Sequence, residues 1–154
     1  MAHQLDPQLK LIKELIEIPT VSRDSNLELI NFVSNYLESH GIESQLIHSD
    51  CGNKANLLAT IGPNIGGGIV LSGHTDVVPI DGQPWESDPW IVTHRDDKYY
   101  GRGVCDMKGF DALAIWALVE ASYSPLKRPL QLALSYDEEA VSYTHLTLPT
   151  TPYV

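Results

Sequence analysis

Three short clusters hold the residues of this chain best suited to chemistry. They are Leu71-Ser72-Gly73-His74-Thr75-Asp76, then Gly101-Arg102-Gly103-Val104-Cys105-Asp106-Met107-Lys108-Gly109, then Ser135-Tyr136-Asp137-Glu138-Glu139. Each reads as the far end of an apolar run that forms a strand. Three strand ends would thus bring His74, Asp76, Asp106, Glu138 and Glu139 to one rim. An imidazole among several carboxylates is the donor set for a pair of divalent cations that activate water.

The spacing inside each cluster gives a physical reason for that reading. On extended backbone, residues two apart point the same way, so His74 and Asp76 can serve one site. A metal-bound imidazole passes its other N–H to an acceptor that fixes its tautomer, and Asp76 is placed for that task. The bland alternative is a turn aspartate beside an ordinary histidine. Asp106 suits an N-cap, but a carboxylate also bridges two ions ~3.5–4 Å apart. Asp137-Glu138-Glu139 could be a solvated acidic run. It follows Leu130-Gln131-Leu132-Ala133-Leu134 directly, however, and adjacent side chains diverge toward two tasks: Glu139 on a metal, Glu138 as general base. Such close like charges raise a carboxyl pKa unless cations neutralise them.

The rest of the composition narrows the class. Ten basic against twenty acidic residues give a net charge of −10, which speaks against nucleic-acid or anionic-membrane partners. Cys51 and Cys105 are far apart and form no CxxC, which fits a reducing compartment better than a disulfide framework. Cys105 reads as a packed thiol. The start of the chain reads as an amphipathic helix instead of a signal peptide, and no apolar run approaches the ~18 residues of a membrane span, so a cytoplasmic location is expected. His3, His40, His48, His94 and His145 receive no role, and Arg102 and Lys108 read as structural or site-shaping.

Asp6-Pro7 starts a helix in which Leu9, Ile12 and Ile16 recur at helical spacing and Leu11, Leu15 and Ile18 widen the apolar stripe, ended by Pro19. Ser25-Asn26-Leu27-Glu28 is a capping-box pattern for a second helix carrying Leu27, Ile30, Val33 and Leu37, ended by Gly41. Ile42–Ile47 and Asn56–Ile61 read as strands, and Ile69-Val70-Leu71 as a short buried one. Gly66-Gly67-Gly68 lacks the Lys-Ser/Thr of a phosphate loop and precedes a strand, so it reads as a turn. A small hairpin is expected around Asp96-Asp97, then an apolar helix from Met107 or Lys108 to about Ala121, then a strand over Leu130–Leu134. Alternating helices and strands predict an α/β fold, a mixed sheet flanked by helices. Residues 141–154, rich in Thr and Pro, read as a non-native tail after a domain of residues 1–140.

Taken together, Ser72 to Pro79 (Ser-Gly-His-Thr-Asp-Val-Val-Pro), Tyr100 to Phe110 and Leu134 to Glu139 resemble the N-terminal part of the M20 family of metallopeptidases and amidohydrolases, over about residues 5–140. Within it they are most similar to the acetylornithine deacetylase branch. The resemblance implies a truncated catalytic domain of the two-zinc aminopeptidase-like fold. It implies two Zn²⁺ per intact site, with Co²⁺ as a substitute, bridged by Asp106 and held by His74 and Glu139, with Asp76 and Glu138 as catalytic residues and a cis peptide after Asp106. A further carboxylate ligand, a distant histidine and a dimerisation domain would lie outside this chain, so that it is inactive alone. The implied substrate is a small N-acyl amino acid, N-acetyl-L-ornithine giving ornithine and acetate in arginine biosynthesis. A succinyl-diaminopimelate desuccinylase, a carboxypeptidase and an inactive remnant are the alternatives.

Overall fold

A computed structural model describes residues 6–140, so the expected tail lies outside the described residues. Helix α1 (Pro7–Glu17) starts as its sequence requires: Asp6 accepts a hydrogen bond from the Gln8 amide, and proline occupies the first turn. Helix α2 spans Leu27–Ser39. Strands β1 (Ser44–His48) and β2 (Ala55–Ile61) form a hairpin, followed by β3 (Ile69–His74), the small hairpin β4 (Thr93–Arg95) and β5 (Lys98–Tyr100), helix α3 (Lys108–Ser122) and β6 (Leu130–Ser135).

The capping-box expectation for α2 needs correction. Its cap is Asn26, and Ser25 merely accepts from the Leu27 amide through its hydroxyl. The Asn26 side chain is buried and faces the sheet. It donates to the Ala55 carbonyl (2.9 Å) and to Thr75 Oγ1 (3.0 Å) and accepts from the Ala55 amide (3.0 Å). One side chain therefore ties the start of α2 to β2 and to the segment after His74.

The main sheet has the order β1-β2-β6-β3, antiparallel except for the parallel β3–β6 pair. Register explains which residues are buried. Leu57 pairs with Leu134 and Ala59 with Leu132, while Leu71 and Gly73 of β3 align with Leu132 and Leu134. That face receives Leu29, Ile30, Val33 and Leu37 of α2 and Ala112, Ile115, Leu118 and Val119 of α3, and Leu11 and Leu15 of α1 join the same core by packing against α3. On the opposite face Leu58, Thr60, Gln131, Ala133, Val70 and Ser72 stay half-buried or exposed, so no described helix covers it. The strand expected to be buried, Ile69-Val70-Leu71, is an edge instead: Ile69 is 64% and Val70 54% exposed.

Lys108 joins α3 to α1. Its ammonium donates to the Leu15 carbonyl (3.1 Å) and the Ile18 carbonyl (2.7 Å), beyond the last turn of α1, and burial pulls its pKa down to about 7. Those carbonyls are left free by the helix end, and an ammonium at that pole also complements the helix dipole.

Candidate metal centre

His74 ends β3, and Glu138 and Glu139 follow the end of β6, so the parallel pair delivers both segments to the same edge of the sheet. Asp106 arrives differently from the expectation of three strand ends. It stands in the turn between β5 and α3, joined to Met107 by a cis peptide. The Gly101 to Gly109 turn is drawn tight against the body: the Gly109 amide bonds the Gly103 carbonyl, and any Cβ on Gly109 would lie 2.1 Å from the Val104 carbonyl oxygen. Glycine is thus required where the turn meets α3.

One donor atom each from His74, Asp106 and Glu139 lie within 4.8 Å of one another. His74 Nε2 is 3.1 Å from Asp106 Oδ1 and 3.7 Å from Glu138 Oε2. His74 is buried, whereas the Asp106 side chain is 73% exposed, so the cluster opens outward. A nitrogen and several carboxylate oxygens converging from three segments form a donor set that fits a divalent cation such as zinc. Burial alone would lower the His74 imidazole, but Asp76 and Asp106 outweigh it and lift it to about 9. Burial, with the neighbouring Asp106, raises Glu139.

Asp76 does more than its sequence position suggested. His74 Nδ1 lies 3.0 Å from the main-chain carbonyl of Asp76 and 3.6 Å from its carboxylate, so the carbonyl is the nearer acceptor. The carboxylate instead accepts from the amides of Glu138 and Glu139 (3.1 Å each) and from the Ser22 hydroxyl (2.5 Å). Burial works against this charge. The adjacent His74 imidazole, with hydrogen bonds from Ser22 and the two amides, overcomes it and holds Asp76 down at about 2. Asp76 thereby fixes the ring of His74 through its backbone and the Glu138–Glu139 segment through its side chain.

Several residues around the site were not singled out from sequence. Ser22 and Lys54 come from distant segments and carry no local signal. Asp111 did carry one, as a carboxylate within the apolar helix α3. It is 1% exposed, neither oxygen has a hydrogen-bond partner, and burial pushes it up to about 8. It fits against Gly73, where an added Cβ would lie 1.9 Å from Asp111 Oδ1. Cys105, expected to be packed, is exposed. His40 packs at a tilt against Tyr36 and His94 against Tyr99, and neither belongs to the cluster.

Known proteins resemble this chain in sequence and in fold. The model of peptidase family M20/M25/M40 matches residues 70–146. An acetylornithine deacetylase of Photorhabdus laumondii is 42% identical over 144 residues, covering 88% of this chain and 37% of that protein. One from Proteus mirabilis is 42% identical over 139 residues, covering 85% of this chain and 35% of its own length. The chain therefore spans little more than a third of the curated relatives it matches. Among solved structures, human carnosine dipeptidase 1 superposes with a TM-score of 0.77 at 24% identity, covering 88% of this chain and 33% of that one. The M20 metallo-carboxypeptidase Sso-CP2 of Sulfolobus solfataricus gives 0.76 at 24%, covering 88% and 32%. With its family model spanning the metal-donor cluster and its fold shared with these enzymes, the chain belongs to peptidase family M20/M25/M40.

Proposed function

We propose that this chain is the N-terminal part of the catalytic domain of a metal-dependent amidohydrolase that removes the acyl group from an N-acyl amino acid, N-acetyl-L-ornithine foremost. The observation that carries the reading is the convergence of His74, Asp106 and Glu139 beside Glu138. His74, Asp106 and Glu139 would hold divalent ions, zinc or cobalt, with Asp106 as the shared carboxylate. When bound, such ions supply Lewis acidity, which polarises an amide carbonyl and makes a water acidic near neutral pH.

The protein's own part follows from geometry. Glu138 is anchored through its amide while its side chain, 43% exposed, reaches toward the opening. It takes a proton from the attacking water and returns it to the departing amine, one carboxylate serving as base and then as acid. Asp76 keeps Glu138 and Glu139 at fixed positions during that exchange. The choice of N-acetyl-L-ornithine rests on the relatives at about 40% identity. Alone, with three metal-donor residues, the chain is inactive by this reading, and partners such as a second subunit belong to the longer enzyme.

The test is to join residues 1–140 to the remaining part of the Photorhabdus laumondii relative and assay the hybrid with zinc or cobalt. Hydrolysis of N-acetyl-L-ornithine in preference to N-succinyl-diaminopimelate and C-terminal peptide bonds is expected, with Glu138→Gln lowering turnover by roughly 100-fold or more. A hybrid preferring either alternative would reassign the substrate. One that binds zinc stoichiometrically yet turns over none of them would sink the enzymatic reading.

A further inference from the structure

Two consecutive amides, those of Glu138 and Glu139, converge on the single carboxylate of Asp76. Extended backbone cannot do this, because successive N–H groups on a strand point in opposite directions. The chain must turn immediately after β6, and it does so at Asp137, whose φ is +63°. Side-chain-bearing residues rarely adopt that left-handed conformation, Asp and Asn being the more tolerant ones. Something outside the turn has to favour it.

Lys54 meets that need. Its ammonium donates to the Asp137 carboxylate and to the Ser22 main-chain carbonyl (2.6 Å), and it lies over the Tyr136 ring, 5.9 Å from the centroid. The Lys54 side chain is 13% exposed and that of Asp137 26%, so solvent screens the pair only partly. Ser22 in turn donates its hydroxyl to Asp76. The ammonium thus grips both arms of the network: the residue that makes the turn and the residue that steadies the carboxylate receiving the amides. None of the three motif clusters includes Lys54, which lies 83 residues from Asp137 in sequence.

We propose that Lys54 is a positioning residue for the site, holding Asp137 in its left-handed turn so that Glu138 and Glu139 are presented correctly. The consequence for metal and proton transfer rests on the functional reading above; the clamp itself does not. The experiment therefore reads the two separately: amide hydrogen exchange is followed in this chain without metal, and Zn²⁺ binding is measured by calorimetry in the hybrid enzyme described above, which supplies the ligands outside this chain. Lys54→Met and Asp137→Ala should each speed exchange at Glu138 and Glu139 by about tenfold or more, while Leu132 and Leu134 in β6 exchange as in the wild type. Asp137→Asn retains tolerance for the turn and an oxygen for Lys54, so it should stay near wild type. Zn²⁺ affinity should fall about tenfold in the first two variants and not in the third. Unchanged exchange at Glu138 and Glu139 in Lys54→Met overturns the clamp. So does a uniform rise that includes Leu132 and Leu134, which would mark a general loss of stability. If the amides respond as expected but even the wild type takes up no Zn²⁺, the clamp stands and the metal reading fails.

Discussion

Asp76 shows how a local spacing can point to a residue and miss most of what its side chain does. The His-x-Asp spacing pointed to a carboxylate behind the imidazole. In the structure the main-chain carbonyl is the nearer partner of His74, and the carboxylate organises the Glu138–Glu139 segment. That second task depends on a 62-residue separation that no local pattern reveals. Asp111 is the complementary case, a visible anomaly in an apolar helix whose consequence is electrostatic. Its carboxyl faces His74, Lys108 and Asp76, and burial raises it to about 8 from 3.8. The folded state therefore keeps a proton that the unfolded chain releases, so stability falls as pH rises through that interval. Lys108, lowered to about 7, relieves part of the cost only above that pH. His74, raised to about 9 from 6.5, begins to withdraw its own contribution only above 6.5. Between about pH 4.5 and 6.5 the decline should therefore combine the raised Glu139 with Asp111. Replacing Asp111 with neutral Asn should flatten the decline of melting temperature over that window; parallel profiles for wild type and Asp111→Asn would refute the assignment.

Among the elements, those defined by their own residues were the legible ones. Asp6-Pro7 announced α1, the apolar run after Asp106 announced α3, and the three motif clusters supplied the site donors. The start of α2 was misjudged because a capping box is a local pattern, whereas Asn26 is recruited by β2 and Thr75. The burial of β3 was misjudged because an apolar trio looks the same on a central and an edge strand. Asn26→Ala offers a direct measure of the first of these tertiary effects. It would leave the Ala55 amide and carbonyl without their partner in a buried setting, so destabilisation of about 3 kcal/mol is expected in urea unfolding. A loss of only a few tenths would mean that Asn26 acts as an ordinary exposed cap.

At the scale of the whole molecule, α2 and α3 cover one face of the sheet and α1 packs on α3, while the other face carries Val70, Leu58 and Ile47 on partly or largely exposed surface. A parallel β3–β6 pair with an open face is unusual, since parallel strands are normally covered on both sides. Among the described residues β3 pairs only with β6, which leaves its outer backbone groups at the sheet edge beside exposed Ile69 and Val70. Such an edge invites pairing with another chain. Opposing this is a net charge of −10, which makes copies repel one another at low ionic strength. The two tendencies respond differently to salt. Raising ionic strength from about 0.02 to 0.5 M shortens the screening length severalfold, weakening the repulsion, and leaves apolar contact intact. Sedimentation velocity should therefore show monomer at low salt and concentration-dependent association at high salt. Val70→Lys, which places a charge on the open face next to the edge, should reduce that association by gatekeeping the strand. A chain that stays monomeric at high salt and high concentration would show that β3 and the open face are protected by something other than charge.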